Sequence, residues 1–247
     1  MTSNFKLQIS NFIKELLFPS FCLGCKKEGT YLCEDCNSTL EISEYNYCLC
    51  NKNPIRLQFN QNKNGKCGKC AEKKLSGLYF ALPYKEKALT KKIIYNFKYS
   101  PYIKDLSKVL SKTLIEHLVL TKNNTNQIWE NAILVPVPLE KRKLKSRGYN
   151  QAEELAKELS KVINIPLITK TLIKIKSTSS QMKLKKEERE KNIKNAFITK
   201  NREQINGKKI FLVDDVYTTG STMEECARVL KDAGARQVWG IVVAREE

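Results

Sequence analysis

The sequence has no long apolar run and only one histidine, and each absence excludes a class of protein. No uninterrupted apolar stretch approaches the roughly 20 residues that a helix needs to cross a bilayer. The first residues, MTSNFKLQISNFIKELLFPSFC, have a helical apolar stripe, but Lys14 and Glu15 interrupt it, which predicts an amphipathic helix rather than a signal peptide. We therefore expect a cytoplasmic protein with no integral membrane segment. The lone His117 lies in a helical pattern, LSKTLIEHLVL, which favours a structural role over a catalytic one.

Two common nucleotide-binding fingerprints are missing as well. A Walker A loop needs Gly-Lys-Ser or Gly-Lys-Thr, and a Rossmann fingerprint needs G-x-G-x-x-G near the first strand. The chain contains neither pattern, which excludes nucleotide binding of those two kinds.

Acidic residues are few relative to basic ones. The chain has 26 Asp and Glu against 44 Lys and Arg, which gives a net charge of +18 at pH 7. A charge of this size favours a polyanionic partner such as nucleic acid, or a phosphate-rich small molecule. The alternative is that Lys and Asn are abundant throughout the chain without a functional reason. The length of 247 residues is enough for one large core and a small appended module.

Cysteine is rare beyond residue 70, where only Cys226 occurs, and dense before it. Eight of the nine cysteines form four close pairs, and three pairs have the C-x-x-C spacing that lets two thiolates reach one tetrahedral zinc ion. A disulfide framework would need an oxidising compartment. We therefore predict two structural zinc sites, one formed by Cys22, Cys25, Cys33 and Cys36 and the other by Cys48, Cys50, Cys67 and Cys70.

The second predicted zinc site departs from the usual spacing, because one residue separates Cys48 from Cys50. This departure leaves open whether the second site is filled. Neither site has an open coordination position, so we expect zinc to fold the module and not to catalyse. Zinc ribbons contact nucleic acids or partner proteins in some proteins and only cap the structure in others, and both interpretations stay open. Cys226 lies on the apolar side of a predicted helix and is expected in the core.

From about residue 76 the sequence alternates between strand and helix patterns, which is typical of an α/β sheet. GLYFALPY, NAILVPVP and KKIFLVDDV predict strands, and NQAEELAKELSKVI and STMEECARVLKDAGA predict helices. We expect two domains: an N-terminal helix with a double zinc ribbon over residues 1–75, and an α/β domain over residues 76–247.

The stretch IFLVDDVYTTGST ends a buried strand on two adjacent carboxylates, Asp214 and Asp215. A loop of hydroxyl residues with Gly220 follows, and then a helix begins. Ligands of open parallel sheets bind beyond the carboxyl ends of the strands, and the free N–H groups of a helix N-terminus suit a phosphate. Carboxylates accept hydrogen bonds from a vicinal diol or lie near a bound metal. A phosphate next to a diol predicts a ribose 5-phosphate.

The segment FLVDDVYTTGST resembles the phosphoribosyl pyrophosphate signature of type I phosphoribosyltransferases. With VPVPLEKRKLKSRGYNQAEELA, QMKLKKEEREKNIKNAF and the cysteine-rich head, nearly the whole chain resembles the ComF family, the competence-associated relatives of amidophosphoribosyltransferase. The resemblance implies a type I phosphoribosyltransferase fold over residues 76–247, with a mostly parallel sheet flanked by helices. It also implies Mg²⁺-phosphoribosyl pyrophosphate as the ligand.

The same resemblance implies roles for individual residues. Asp214 and Asp215 would bind the ribose hydroxyls, and Arg147 and Lys145 would stabilise the departing pyrophosphate. The other implied ligand contacts are Val216, Thr218, Thr219, Gly220, Ser221 and Thr222 in and beside the 5-phosphate loop, Val137 and Pro138 at the pyrophosphate loop, and Gln181 and Arg189 on a mobile lid. Without the resemblance, the basic residues after VPVP would form a solvated turn, and the lid a charged hairpin or helix.

Three functions stay open at this point. An enzyme would transfer the phosphoribosyl group to an acceptor with loss of pyrophosphate, although neither a general base nor the acceptor is evident. A DNA-uptake accessory would bind single-stranded DNA and partner proteins, stacking bases on Tyr45, Tyr47 or Phe59 unless these rings pack in the core. A sensor would keep the phosphoribosyl pyrophosphate pocket without turnover.

Overall fold

The structure is a computed structural model that describes residues 19–51, 53–57, 65–121, 126–176 and 193–246. The expected N-terminal amphipathic helix, Phe59 and the lid residues Gln181 and Arg189 lie outside the described residues. Within them, no helix combines the length and the apolar character that crossing a bilayer requires.

The described elements follow the alternation of strands and helices that the sequence predicts. In chain order they are α1 (Glu34–Ser38), a 3-10 turn (Gly68–Cys70), β1 (Gly77–Pro83), α2 (Leu89–Lys98), α3 (Leu106–Leu120), α4 (Asn126–Trp129), β2 (Ala132–Pro136), α5 (Lys141–Arg147), α6 (Gln151–Ile163), β3 (Leu172–Lys174), β4 (Phe197–Thr199), a second 3-10 turn (Arg202–Gln204), β5 (Lys209–Tyr217), α7 (Ser221–Asp232) and β6 (Gln237–Arg245). The basic residues after VPVP form helix α5, where the sequence alone indicated a turn.

The central sheet has four strands in the order β1-β6-β5-β2, and all its pairings are parallel. Every residue of β6 after Gln237 is buried, because both faces of a parallel sheet are covered. The strands β3 and β4 form a separate antiparallel pair. Because β5 is an inner strand, the loop that follows it lies next to the end of β2. The type I phosphoribosyltransferase architecture expected from the sequence is confirmed in this parallel, helix-flanked sheet.

Alternate residues of β5 enter two different cores, since successive side chains of a strand point to opposite faces. Phe211 and Val213 enter the first core, together with apolar residues of α2, α3 and α6. Ile210 and Leu212 enter the second core, which contains the apolar face of α7, including Cys226. The expected core position of Cys226 is therefore confirmed.

The cysteine-rich segment contributes to both cores. Cys22 and Cys33 belong to the first core, whereas Cys48 and Cys70 belong to the second. His117 in α3 is fully buried, and its Nδ1 donates a hydrogen bond to the carbonyl oxygen of Ser43 at 2.6 Å. Burial lowers the pKa of His117. This histidine therefore joins the cysteine-rich segment to the sheet domain, in line with the structural role expected for it.

The start of α6 is fixed by the two residues that precede it, Tyr149 and Asn150. Asn150 caps the helix by accepting a hydrogen bond from the Ala152 N–H at 3.2 Å. The buried Tyr149 hydroxyl donates to the carbonyl oxygen of Phe97, at the end of α2, at 2.6 Å. These contacts hold the end of α2 beside the start of α6, and both ends lie next to the end of β5.

Candidate functional site

Asp215, near the end of β5, is a buried carboxylate that residues of two helices contact. Its side chain is only 4% exposed. The Lys98 ammonium, at the last residue of α2, lies 2.8 Å from Asp215 Oδ1. The Gln151 amide, at the first residue of α6, donates from Nε2 to Asp215 Oδ2 at 3.3 Å. Three elements therefore converge on one carboxylate, and the charge of Asp215 is compensated within the fold.

Asp214 lies in a different electrostatic environment from its neighbour. Its Oδ1 accepts a hydrogen bond from the Asp215 backbone N–H at 2.9 Å. Burial, and then the charge of Asp215, raise the pKa of Asp214 to about 8, although Lys98 acts in the opposite direction. Burial would lower the pKa of Lys98, but Asp215 and Asp214 outweigh it and raise that pKa. Burial and the neighbouring Asp215 therefore both favour the protonated form of Asp214.

Polar atoms without partners lie close to this acidic pair. Arg147 Nε and Nη1, and Gln151 Oε1, are buried and have no hydrogen-bond partner among the described residues. Burial lowers the pKa of Arg147, and the charge of Asp215 acts against this shift, so the guanidinium senses that carboxylate. Buried polar atoms are nearly always hydrogen-bonded in native proteins. These atoms could therefore be satisfied by a bound polar ligand.

The loop of residues 217–222, named the phosphate loop below, joins β5 to α7. Thr219 Oγ1 lies 2.8 Å from Ser221 Oγ and accepts a hydrogen bond from the Ser221 N–H at 3.4 Å. Gly220 precedes α7 with φ of 79°, and no side chain caps the helix there. The Thr219 and Ser221 hydroxyls therefore lie at the N-terminus of α7, the end of a helix that attracts anions.

The fold itself requires glycine at position 220, in addition to any close approach of a ligand. A Cβ at this position would collide with the ring and hydroxyl of Tyr217. Together with its positive φ, this contact makes any other residue unfavourable at Gly220. A substitution at Gly220 would therefore disturb the loop itself and is a poor test of phosphate contact.

The end of β2 lies beside the end of β5, where the sequence predicts the pyrophosphate loop. The Val137 N–H donates to the carbonyl oxygen of Val213 at 2.9 Å, and the Val137 carbonyl accepts from Asn150 Nδ2 at 3.0 Å. Pro138 follows directly. This loop is thus fixed by hydrogen bonds to its neighbours on both sides.

The predicted site residues differ in how closely they approach the acidic pair. The Arg147 guanidinium lies within the electrostatic influence of Asp215. Lys145 is exposed on α5 and makes no hydrogen bond or ion pair within the described part of the chain. Val216 and Thr218 are partly buried on either side of Tyr217. Lys98 and the amide of Gln151 are functional candidates that motif analysis did not single out.

The eight N-terminal cysteines form two groups, and each group matches one predicted set. Within each group, all four Sγ atoms lie within 4.8 Å of one another. The Sγ atoms of Cys25 and Cys33 are 3.5 Å apart, and those of Cys67 and Cys70 are 3.7 Å apart. A tetrahedral zinc site with Zn–S bonds of about 2.3 Å places sulfur atoms about 3.8 Å apart. None of the cysteines forms a disulfide. Both groups could therefore hold a zinc ion, including the one with the short Cys48–Cys50 spacing.

The thiols within one group perturb one another strongly. Burial raises the pKa of Cys22, but hydrogen bonds from the Cys33, Cys25 and Gly24 backbone outweigh this and lower it to about 6. The side-chain hydrogen bond with Cys33, and then burial, raise the pKa of Cys36 to about 12. Four thiolates so close together repel one another, and a divalent cation is the natural means of ionising all four.

The raised pKa of Asp214 makes a testable contribution to stability. The folded chain retains this proton up to about pH 8, whereas an unfolded aspartate loses it near its ordinary value of 3.8. Raising the pH between these values therefore destabilises the ligand-free fold through Asp214. We expect the stability advantage of Asp214→Asn over the wild type to be at least about 1 kcal/mol larger at pH 8.5 than at pH 5, because most of the destabilisation of the wild type develops between these pH values. Denaturant unfolding at both pH values measures this difference, and an equal difference at both would contradict the assignment.

Comparison with known proteins agrees with the fold and the motifs. The family model of the phosphoribosyl transferase domain matches residues 112–246. Competence protein F of Haemophilus influenzae is 35% identical over 141 residues, covering 55% of this chain and 62% of that protein. DNA utilization protein YhgH of Escherichia coli K12 is 32% identical over 149 residues, covering 60% of this chain and 64% of that protein.

A third relative is competence protein ComFC of Bacillus subtilis, which is 33% identical over 102 residues, covering 41% of this chain and 39% of that protein. The matched segments span less than two thirds of each of these relatives. Their names confirm the resemblance to the ComF family. Because the matched family model covers more than half of the sequence, the chain belongs to the phosphoribosyl transferase domain family.

Proposed function

We propose that the chain binds Mg²⁺-phosphoribosyl pyrophosphate at the carboxyl ends of β2 and β5. Residues 76–247 are the proposed binding domain, and residues 1–75 its zinc-bearing module. The observation that carries the proposal is that the acidic pair leads directly into the phosphate loop, while Arg147, within the electrostatic influence of Asp215, has unpartnered buried donors. A ligand with a diol, a phosphate and a second anionic group matches these three features. The diol suits the acidic pair, the phosphate suits the phosphate loop, and the second anionic group suits Arg147.

The 5-phosphate end is proposed to bind at the phosphate loop. The hydroxyls of Thr219 and Ser221 are the donors, at the positive end of the α7 helix dipole, since phosphate oxygens only accept hydrogen bonds. The ribose hydroxyls are proposed to donate to Asp214 and Asp215. A Mg²⁺ ion bound with the ligand would add positive charge beside Asp214 and favour loss of its proton.

The pyrophosphate end is proposed to lie along Val137 and Pro138, with Arg147 as its main cationic contact. A guanidinium offers paired donors that match phosphate oxygens. Lys145 and the lid residues Gln181 and Arg189 are assigned to this end by resemblance, and these assignments remain proposals.

Lys98 has a separate proposed role as the counter-ion of Asp215. With this carboxylate already paired, Asp215 keeps its charge and orientation before a ligand arrives. Such preorganisation lowers the reorganisation that binding requires. Lys98 also precedes the segment matched by the family model, so this role involves a part of the chain that the match does not cover.

For a transferase, the acceptor nucleophile attacks C1 of the ribose, the bond from C1 to the pyrophosphate oxygen breaks, and the acceptor loses its proton. Charge builds on the leaving pyrophosphate, which Arg147 would stabilise. Asp214, with a pKa of about 8, is suited to exchange a proton near neutral pH. A sensor would use the same pocket without this step.

A second proposed function is a cytoplasmic role in DNA uptake, involving single-stranded DNA and DNA-uptake proteins. The names of the relatives refer to competence and DNA utilization. On this chain, the basic residues Lys141, Arg142 and Lys143 of α5 are exposed and contiguous. Exposed Tyr45 carries the Arg56 guanidinium 3.2 Å from its ring centroid, which makes it a candidate stacking surface. Tyr47 instead packs its ring against Phe80, at 5.8 Å between centroids.

The ligand proposal is tested by calorimetric titration of phosphoribosyl pyrophosphate with Mg²⁺. The variant Asp214→Asn/Asp215→Asn keeps the shape of the site and replaces both carboxyl groups that are proposed to accept the ribose hydroxyls. We expect it to bind roughly 100-fold more weakly than the wild type, because hydrogen bonds to charged groups contribute about 1.5–3 kcal/mol each. The control Asp105→Asn/Asp232→Asn makes the same substitutions at two exposed carboxylates and should bind like the wild type. Equal affinities of the two double variants would refute the pocket.

DNA binding is tested by fluorescence anisotropy with single- and double-stranded oligonucleotides over a salt series. If α5 contacts phosphates, Lys141→Ala/Arg142→Ala/Lys143→Ala should weaken binding and reduce the salt slope on single strands by roughly 0.7 for each phosphate that is no longer neutralised. The matched control is Lys108→Ala/Lys112→Ala/Lys161→Ala, at exposed lysines of α3 and α6. If both triple variants bind with the same reduced affinity, the binding reflects net charge alone and the α5 interface is wrong.

A further inference from the structure

Within the second cysteine group (Cys48, Cys50, Cys67 and Cys70), the residue directly after Cys50 contacts the phosphate loop. Asn51 directly follows Cys50, and its Nδ2 donates to the carbonyl oxygen of Thr219 at 2.8 Å. Asn51 Oδ1 is buried and lacks a hydrogen-bond partner among the described residues. One amide thus joins the metal-ligand segment to the centre of the loop.

The carbonyl groups of this segment are held by two cations. Arg245, the last residue of β6, donates from Nη1 to the Cys48 carbonyl at 2.9 Å and from Nη2 to the Cys50 carbonyl. Lys73 Nζ donates to the Leu49 carbonyl at 2.7 Å. Three consecutive carbonyls are therefore anchored, and the short spacing between the two cysteines keeps all of them in one tight segment.

A second path leads from the same segment to the phosphate loop. Lys73 Nζ also donates to the Tyr217 hydroxyl at 3.2 Å, and the Tyr217 ring lies against Gly220. Further along, the Glu224 carboxylate of α7 accepts hydrogen bonds from the backbone N–H groups of Lys74 and Leu75. The loop and the helix it starts are thus both attached to the second cysteine module.

The net charge of a zinc-loaded second cysteine group would stabilise the cations that hold this segment. Arg245 is 2% exposed and forms no ion pair within the described residues. Four thiolates around a divalent zinc ion carry a net charge of about −2, which compensates Arg245 and Lys73. Without the metal, the four Cys side chains are no longer held around one centre. The segment that carries Asn51 then loses one of its anchors and shifts from its position.

The first cysteine group provides an internal control. Cys22 and Cys33 pack in the first core, on the other face of the sheet from Cys48 and Cys70. Within the described part of the chain, no hydrogen bond joins Cys22, Cys25, Cys33 or Cys36 to the phosphate loop. Only the second group is placed to influence the loop.

We infer that Asn51 is a positioning residue for the phosphate loop, and that metal binding at the second cysteine group is coupled to phosphate binding at that loop. This inference rests on the proposed function of the loop. Coupling between two sites is reciprocal, so phosphate at the loop should retain zinc at the second group by the same factor as that zinc strengthens phosphate binding.

Calorimetric titration of ribose 5-phosphate, in protein shown to contain zinc, tests the role of Asn51. We expect Asn51→Ala to bind roughly three- to tenfold more weakly, the equivalent of one hydrogen bond. Asn51→Asp has the same shape but puts a carboxylate against the Thr219 carbonyl and the phosphate, and should bind more than about tenfold more weakly. Asn53→Asp makes the same charge change at an exposed neighbour and should bind within about twofold of the wild type.

Zinc release to a chromogenic chelator, with and without ribose 5-phosphate, tests the coupling itself. The variant Cys25→Ser lacks a ligand of the first group and so reports release from the second. We expect ribose 5-phosphate to slow release from Cys25→Ser by several-fold, and to have no such effect after Asn51→Ala is added. The mirror variant Cys67→Ser reports the first group, whose release should not respond.

The outcomes separate the inference from the function on which it rests. If the wild type binds ribose 5-phosphate and the Asn51 variants bind it equally well, or if release from the second group does not slow, the positioning role is wrong and the pocket stands. If the wild type itself shows no binding, the proposed loop function fails and the coupling fails with it.

Discussion

Two adjacent carboxylates lie at the end of an inner strand, and the surrounding structure compensates the charge of the buried one. Asp215 is buried and paired with Lys98, whereas Asp214 is partly exposed and has its pKa raised to about 8. An isolated buried carboxylate is highly unfavourable, so the ends of α2 and α6 must meet the end of β5 for the sheet domain to be stable. Arg147 Nε and Nη1 and the Gln151 oxygen stay buried without partners of their own among the described residues.

The features that the sequence predicts well are those fixed by neighbours in the chain. The apolar run before Asp214, the hydroxyl loop and the start of α7 are contiguous, and each cysteine pair is a local spacing. Short contiguous motifs were therefore enough to predict these features. Both cysteine groups and the parallel sheet agree with the prediction. Helix α5 was missed because none of its residues is fully buried and its sequence has no apolar periodicity.

The contacts that complete the site could not be predicted, because they join distant parts of the chain. Nothing in KKIIYNFKYS distinguishes Lys98 from the other lysines until α2 brings it to Asp215. Arg245 and Asn51 likewise gain their roles only where β6 and the second cysteine group meet. From the sequence, the short Cys48–Cys50 spacing left undecided whether the second zinc site is filled. In the structure, residues 48–50 form the segment whose carbonyl groups accept hydrogen bonds from Arg245 and Lys73. The cysteine-rich module is thereby joined to the loop that we propose binds phosphate.

We propose that the phosphate loop is the ligand site and that the second cysteine group is attached to it. Amide hydrogen exchange of the full-length, zinc-loaded chain with and without Mg²⁺-phosphoribosyl pyrophosphate tests this most directly. The structure predicts slower exchange at residues 217–222 and, through Asn51 and Lys73, at residues 48–51, with residues 22–36 unchanged. Unaltered exchange at residues 217–222 in the presence of bound ligand would contradict the account.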